Sequence, residues 1–332
     1  MPRPTILLTH TAEVRAIYYG ERALAALREA GEVRLNPHDR QLTTDELAAA
    51  DVDVIVADRN TPGEPALFQQ AQRLVAFVRG AVDIRNVAVP DATRAGVLVT
   101  RASAGFMASV SELLIGYMID LGRGVSRATA DYHAGRQPAV VMGRQLAGST
   151  VGVIGYGQIG RYLCPLLRAL GMRVLVADPH VKEVATGLEH VPLERLLAES
   201  DFVVCLAIAV PETENLMNAA AFARMKRGAF FVNGSRGNLV DEAALAAALD
   251  SGHVAGAAMD VGRASDQMPS PALAAHPRVV ATPHIGGLTP PAAEHQALES
   301  ARQVAVIATG AAPVGAVNAE HAHRLQRLKG GA

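Results

Sequence analysis

Cysteine is nearly missing from this chain. Its 332 residues hold two, Cys164 and Cys205, far apart in sequence and each inside an apolar stretch. Such residues read as small buried hydrophobes rather than as a disulfide or a zinc site, which fits a reducing compartment. An excess of either charge is missing too: 31 Lys+Arg stand against 32 Asp+Glu, a net charge of −1. Phosphate-backbone binding needs a clustered basic excess, so no nucleic-acid partner is expected. No long hydrophobic run is present either. The longest apolar helical stretch, around Leu113 to Leu121, is bordered by Glu112 and interrupted by Asp120, too short and too charged to span a bilayer. Met1-Pro-Arg-Pro-Thr5 runs straight into Ile6-Leu7-Leu8 without a signal-type apolar region or a small-residue cleavage site, so the expected location is the cytoplasm, with no membrane partner. None of the eleven histidines falls at a metal-ligand spacing, and no metal is expected. What the chain does have is apolar content: 50% hydrophobic and 19% charged residues are enough for a sizeable core, and the length predicts about two domains at ~100–200 residues each.

Strand and helix signals alternate throughout. Thr5 to Thr9, Val52 to Ala57, Leu74 to Val78 and Val97 to Thr100 read as short buried strands. Glu21 to Ala30 has helical spacing and stops at Gly31, and Thr43-Thr44-Asp45-Glu46 reads as an N-cap with an acidic first turn. A long amphipathic helix is expected over Ser109 to Arg127, bridging two domains. Six further strand signals follow: Val151 to Ile154, Arg173 to Ala177, Phe202 to Leu206, Ala229 to Asn233, Gly256 to Met259 and Val279 to Thr282. The expected fold is α/β, with a doubly wound parallel sheet in the second part.

Gly155-Tyr-Gly157-Gln158-Ile159-Gly160 fits G-x-G-x-x-G between a buried strand and a helix, and Asp178 ends the next strand. Each part has a physical task. Gly155 permits the tight turn, Gly157 lets backbone N–H groups approach a pyrophosphate, and Gly160 allows close helix–strand contact. The Asp178 carboxylate would accept hydrogen bonds from ribose hydroxyls and repel a 2′-phosphate, so NAD is the expected cofactor rather than NADP.

Four further segments carry a resemblance. Asn233-Gly-Ser235-Arg236-Gly-Asn-Leu-Val-Asp241-Glu-Ala-Ala-Leu245 resembles the N-x-(A/S)-R-G-x-x-V-D-E-x-A-L motif of the D-isomer-specific 2-hydroxyacid dehydrogenases, which include phosphoglycerate, glyoxylate/hydroxypyruvate and D-lactate dehydrogenases. Thr282-Pro-His284-Ile-Gly286-Gly287 is similar to its TPHIGG motif, and Met142-Gly-Arg-Gln-Leu-Ala-Gly148 stands where the family has G-x-E-L-x-G. Val317-Asn318 matches its C-terminal V-N. The resemblance implies a flavodoxin-like substrate domain, residues 1–101 plus 287–332, interrupted by a Rossmann NAD-binding domain, 102–286. It also implies a homodimer through the nucleotide-binding domain, involving the helix that carries Glu112.

The chemistry follows from the residues. Reducing a 2-keto acid takes a cation for its carboxylate and carbonyl, and an acid for the carbonyl oxygen. Arg236 directly follows a buried strand at the edge where doubly wound sheets bind ligands, and its planar fork suits a carboxylate. His284 follows the last strand at the same edge, and an imidazole both gives and takes protons near neutrality. By the resemblance, Ser235, Asp260 and Gly286 lie against the cofactor, Asp260 at the nicotinamide carboxamide, and backbone N–H groups at Arg79-Gly80 meet the substrate carboxylate. An ordinary role for Asp260, as a helix cap or turn residue, stays open, as does a plain turn at Arg79-Gly80.

One family position fails. The family's catalytic Glu lies five residues after the Asp of D-V-F-x-x-E-P, and here Asp260-Val-Gly262-Arg-Ala-Ser265-Asp266-Gln267-Met-Pro269 places Ser265 there. Asp266 is the first candidate to support His284, Gln267 the second, and the third possibility is that nothing does. The leading functional expectation is an NAD-dependent enzyme interconverting a 2-keto acid and its D-2-hydroxy acid. A nucleotide-sensing, co-repressor-like regulator and a formate-type dehydrogenase are the alternatives.

Overall fold

A computed structural model describes residues 3–329; the side chain of Asp266 lies outside the described residues. The chain forms two compact units, one of the residues up to Gly105 together with those from Thr289 onward, the other Phe106–Leu288.

The first unit holds five parallel strands, β1 (Thr5–Leu8), β2 (Glu32–Leu35), β3 (Val54–Ala57), β4 (Ala76–Arg79) and β5 (Leu98–Arg101), in the order β2-β1-β3-β4-β5. β1, β3 and β4 are buried along their whole length. That is why they read as unbroken apolar runs, whereas the edge strand β2 is exposed at every other residue. The helix Thr44–Ala49 opens on a full capping box: the Thr43 hydroxyl accepts from the Glu46 N–H, and the Glu46 carboxylate accepts from the Thr43 N–H. The helix Pro290–Ile307 turns Ala297, Ala301, Val304 and Ile307 onto the same core as Leu24, Leu27, Ile6 and Leu8.

The second unit is a seven-stranded parallel sheet: β6 (Thr150–Ile154), β7 (Arg173–Ala177), β8 (Glu189–His190), β9 (Phe202–Cys205), β10 (Ala229–Asn233), β11 (Val254–Met259) and β12 (Val279–Ala281), in the order β12-β11-β10-β9-β6-β7-β8. Six of them carry apolar strand signals. The seventh, β8, is a two-residue edge pairing with Leu175 and Val176, too short to leave a period in the sequence. The order reverses between β6 and β9, which makes the carboxyl end of β6 the switch point where such sheets bind ligands.

The long helix departs from expectation. It spans Met107–Arg123, ends where Gly124 takes a left-handed φ of 68°, and a second helix runs over Val125–His133. Glycine is the residue that adopts this conformation with least strain. The helix belongs to the second unit, where Val110, Leu114, Tyr117 and Met118 pack on Val153, Phe202, Val232 and Ala258.

Candidate active site at the carboxyl edge of the seven-stranded sheet

The turn after β6 has the geometry of a phosphate cradle. Gly155 has φ 96°, and a Cβ there would lie 2.7 Å from the Ala207 nitrogen. A Cβ on Gly160 would lie 2.6 Å from the Gly155 carbonyl oxygen, so only glycine lets the helix Gln158–Ala169 start this close to the turn. At Gly157 a Cβ would meet nothing within 4 Å. The open space sits at the first turn of a twelve-residue helix, with exposed Gln158 and half-buried Ile159 beside it, where unpaired N–H groups and the helix dipole favour an anion. These residues fit a dinucleotide pyrophosphate. Asp178, just past β7, is braced toward the turn: its Oδ2 accepts from the Tyr156 N–H at 2.7 Å and its Oδ1 from the His180 N–H at 2.9 Å. Each carboxylate oxygen keeps a second lone pair for a ribose hydroxyl. Gly157→Ala should therefore cost at most about 1 kcal/mol of stability, the helix-cap preference, while a methyl group in the cradle weakens NADH binding at least about tenfold. Thermal melts and NADH fluorescence titrations check this, and unchanged affinity would remove Gly157 from the cofactor site.

Arg236 is set by the strand before it. Asn233, fully buried at the end of β10, donates from Nδ2 to the Arg236 carbonyl at 2.9 Å and accepts from the Ser235 N–H at 3.1 Å. The Ser235 hydroxyl donates to the Ala207 carbonyl at 2.5 Å, tying the ends of β9 and β10. Arg236 itself is half-buried, with Nη1 donating to the Ser235 carbonyl at 2.7 Å.

On the next two strands, Asp260 organises the loop that carries His284. Its carboxylate is 5% exposed and accepts from the Thr282 hydroxyl at 2.5 Å, the Ile285 N–H at 2.8 Å and the Gly286 N–H at 2.7 Å. A Cβ on Gly286 would lie 2.7 Å from Asp260 Oδ2. Pinned on both sides, His284 takes a left-handed φ of 57°, a conformation costing of order 1 kcal/mol or more in a non-glycine residue. Two amide bonds to a buried carboxylate, worth roughly 1.5–3 kcal/mol each, offset it. The turn role of Asp260, left open from the sequence, is the one its hydrogen bonds describe.

Parallel strands lie about 4.8 Å apart. Along the sheet edge the order of strands is then His284 after β12, Asp260 after β11, Arg236 after β10, the glycine turn after β6 and Asp178 after β7. Residues 115–286 match the family model described as "D-isomer specific 2-hydroxyacid dehydrogenase, NAD binding domain". This chain belongs to the D-isomer-specific 2-hydroxyacid dehydrogenase family. Among its relatives, D-3-phosphoglycerate dehydrogenase of Rattus norvegicus is 34% identical over 85% of this chain and 54% of that protein. Hydroxypyruvate reductase of Thermotoga maritima is 30% identical over 83% of this chain and 94% of that protein. The apo-structure of D-lactate dehydrogenase from Escherichia coli superimposes with a TM-score of 0.82 at 26% identity, covering 94% of this chain and 99% of that one. The chain spans about half the length of the phosphoglycerate dehydrogenases it matches.

Where this member lacks the family's Glu, the chain doubles back. The Gly262 N–H donates to the Gln267 carbonyl at 2.8 Å and the Ala264 N–H to the Met268 carbonyl at 3.0 Å, around a single 3-10 turn, Ser265–Gln267. Gly262 stands where the family has a bulky aromatic, and a Cβ there would lie 2.4 Å from Pro269 Cα. The Oε1 of Gln267 is buried with no hydrogen-bond partner among the described residues, so it takes no proton from the His284 ring. The side chain of Asp266, the first candidate, lies outside the described residues.

In the first unit, Arg79 is a buried strut. It is 2% exposed and donates to the carbonyls of Asp58, Arg59, Thr61 and Asp83 and to Asn86 Oδ1, tying the loops after β3 and β4. Burial pulls its guanidinium down to about 10, so it stays charged at neutral pH. The Gly80 N–H, expected to meet a substrate carboxylate, donates to the Ala57 carbonyl at 2.9 Å.

Among the described residues, no helix is long and apolar enough to cross a membrane, and no cluster of three or more His, Cys, Asp or Glu side chains could hold a metal ion. Sequence reasoning passed over Asn233, Thr282 and Tyr117. The first two lie inside the quoted motifs, so their spacing was visible and only their role was not. Tyr117 carries no motif at all.

Proposed function

We propose that this chain is an NAD-dependent dehydrogenase that interconverts a 2-keto acid and its D-2-hydroxy acid. The observation that carries this reading is the single sheet edge: a phosphate-type turn with Asp178 on one side of the switch point, and Arg236, Asp260 and His284 on three consecutive strands on the other. When bound, NADH supplies the hydride. Arg236 holds the substrate carboxylate and polarises its carbonyl through its planar guanidinium. His284 gives its proton to the carbonyl oxygen during reduction and takes it back from the hydroxyl during oxidation. Asp178 accepts the adenosine ribose hydroxyls and excludes a 2′-phosphate, so NADH is preferred over NADPH. The function is tested by following NADH oxidation with glyoxylate, hydroxypyruvate, pyruvate and larger aromatic keto acids. Turnover of any of them supports it. Tight NADH binding without turnover would replace it with a nucleotide-sensing role, and NAD reduction by formate with a formate-type reaction.

The charge partner of His284 in this proposal is Asp266. A neighbouring carboxylate would orient the ring and balance its charge as the proton is delivered. Asp266→Asn should lower kcat/KM for keto acids about tenfold or more, and Ser265→Ala should leave it nearly unchanged. A kcat/KM that does not fall with Asp266→Asn, with NADH affinity intact, would assign the role elsewhere.

The proposal includes a homodimer through the nucleotide-binding unit. Val140, Val141 and Met142 form an apolar run exposed at 102%, 62% and 96%, unusual for a surface that stays in water. Light scattering should give twice the mass of one chain, and Val141→Glu should reduce it to one. A monomer at micromolar concentration would end this part of the proposal.

A further inference from the structure

The geometry points to Tyr117 as a positioning residue for His284, acting through a directed hydrogen-bond relay, Tyr117 to Thr282 to Asp260, that locks the His284 loop. The inference rests on the proposed role of His284 as acid and base. Tyr117 lies mid-helix in Met107–Arg123, 3% exposed, and its hydroxyl hydrogen-bonds the Thr282 hydroxyl. The Thr282 hydroxyl in turn contacts Asp260 Oδ1 at 2.5 Å, and that carboxylate also receives the Ile285 and Gly286 amides.

The polarity of this relay is decided by proton counting. A buried carboxylate that receives two amide N–H groups is an acceptor only, so the single hydrogen of Thr282 points at Asp260. The hydrogen of Tyr117 is then the one left for the bond between the two hydroxyls, and the same phenol lies 3.5 Å from Asp260 Oδ1, a second and longer bond to the relay's end point. Burial pushes the Tyr117 phenol far above its ordinary range, so that hydrogen is present at every working pH. Tyr117 O–H donates to Thr282 Oγ1, Thr282 O–H donates to Asp260, and each bond polarises the next. Asp260 fixes the amides of Ile285 and Gly286, and Thr282 fixes the near end of the loop, where its carbonyl accepts the His284 N–H at 3.0 Å. His284 sits between these anchors in its left-handed conformation. A ring carried on a strained backbone keeps one orientation only while its anchors hold. Tyr117 reaches no reacting atom in this account; its phenol supplies the donor that the half-buried Thr282 hydroxyl accepts while its own hydrogen is held by Asp260.

The test reads His284 directly. The protein is labelled at histidine with 15N, and the His284 ring signal is assigned by its disappearance in His284→Asn. Tyr117→Phe and Thr282→Val each break the relay with little change of volume, and Thr282→Ser preserves it. The first two are expected to shift or broaden the His284 signal and leave those of the other ten histidines in place, with kcat lowered roughly five- to tenfold for the loss of one hydrogen bond's worth of preorganisation. Thr282→Ser is expected to match the unaltered protein in both. A His284 signal that stays put in both disrupting variants overturns the relay. So does one that moves only together with all the others, which marks a general loosening of packing. If Tyr117→Phe fails to fold, Thr282→Val carries the test. The ring signal needs no turnover, so absence of keto-acid reduction in the unaltered protein would sink the proposed function and leave the relay to be decided on the spectrum.

Discussion

Replacing His284 by Asn is expected to lower kcat for keto-acid reduction by roughly 10²- to 10⁴-fold, the usual contribution of a positioned general acid, while NADH affinity changes by less than about twofold. Asn is the substitution of choice because of the backbone. His284 has φ 57°, and among non-glycine residues Asn adopts the left-handed region most readily. The amides of Ile285 and Gly286 keep their bonds to Asp260, so the loop survives and only the titrating ring is lost. Steady-state kinetics with the best substrate of the panel, beside a thermal melt, measure both sides. A kcat within tenfold of the unaltered protein, at unchanged stability, would show that some other group moves the proton.

Arg236→Lys should lower kcat/KM for keto acids by roughly 10- to 100-fold and leave NADH binding nearly unchanged. Lysine keeps the charge and loses the planar fork; exchanging a charge-assisted bidentate contact for a point charge forfeits about 1.5–3 kcal/mol. Besides the Nη1 bond to the Ser235 carbonyl, the backbone here is held by groups outside the side chain: Asn233 holds the Arg236 carbonyl and Ser235 is tied to Ala207. Folding is therefore expected to be untouched. Equal losses in kcat/KM and in NADH affinity would indicate that Arg236 braces the cofactor site and does not bind the substrate.

How much of this was legible in the sequence depends on whether a residue's task is local. The glycine turn was legible because each requirement, a positive φ at Gly155, open space at Gly157 and close approach at Gly160, belongs to a stretch of six residues. The central strands were legible because burial on both faces leaves an unbroken apolar run. β8 was not, since two residues on a sheet edge leave no period. The helix around Tyr117 was read as one continuous element through Gly124; the amphipathic spacing carries on across the break, and only the φ of Gly124 shows that the helix stops and starts again.

Arg79 shows the limit from the other side. Its place beside Gly80 at a strand end reads as a ligand loop, yet its guanidinium is consumed by carbonyls of the β3 and β4 loops, partners up to 21 residues away in sequence. No local signal distinguishes a buried strut from a free cation.

By itself, the sequence determined the fold class, the glycine turn and the carboxyl edge at which Arg236 and His284 lie, since these follow from short-range spacing, while the strand order along that edge came from the sheet. Tertiary structure alone decided what holds the site in shape. Asp260 anchors the His284 loop, Asn233 sets Arg236, and Tyr117 feeds Thr282 from a helix 165 residues away. Those assignments rest on hydrogen bonds between chain segments that meet only once the sheet is built, and directional bonds at such separations leave no pattern in the order of residues.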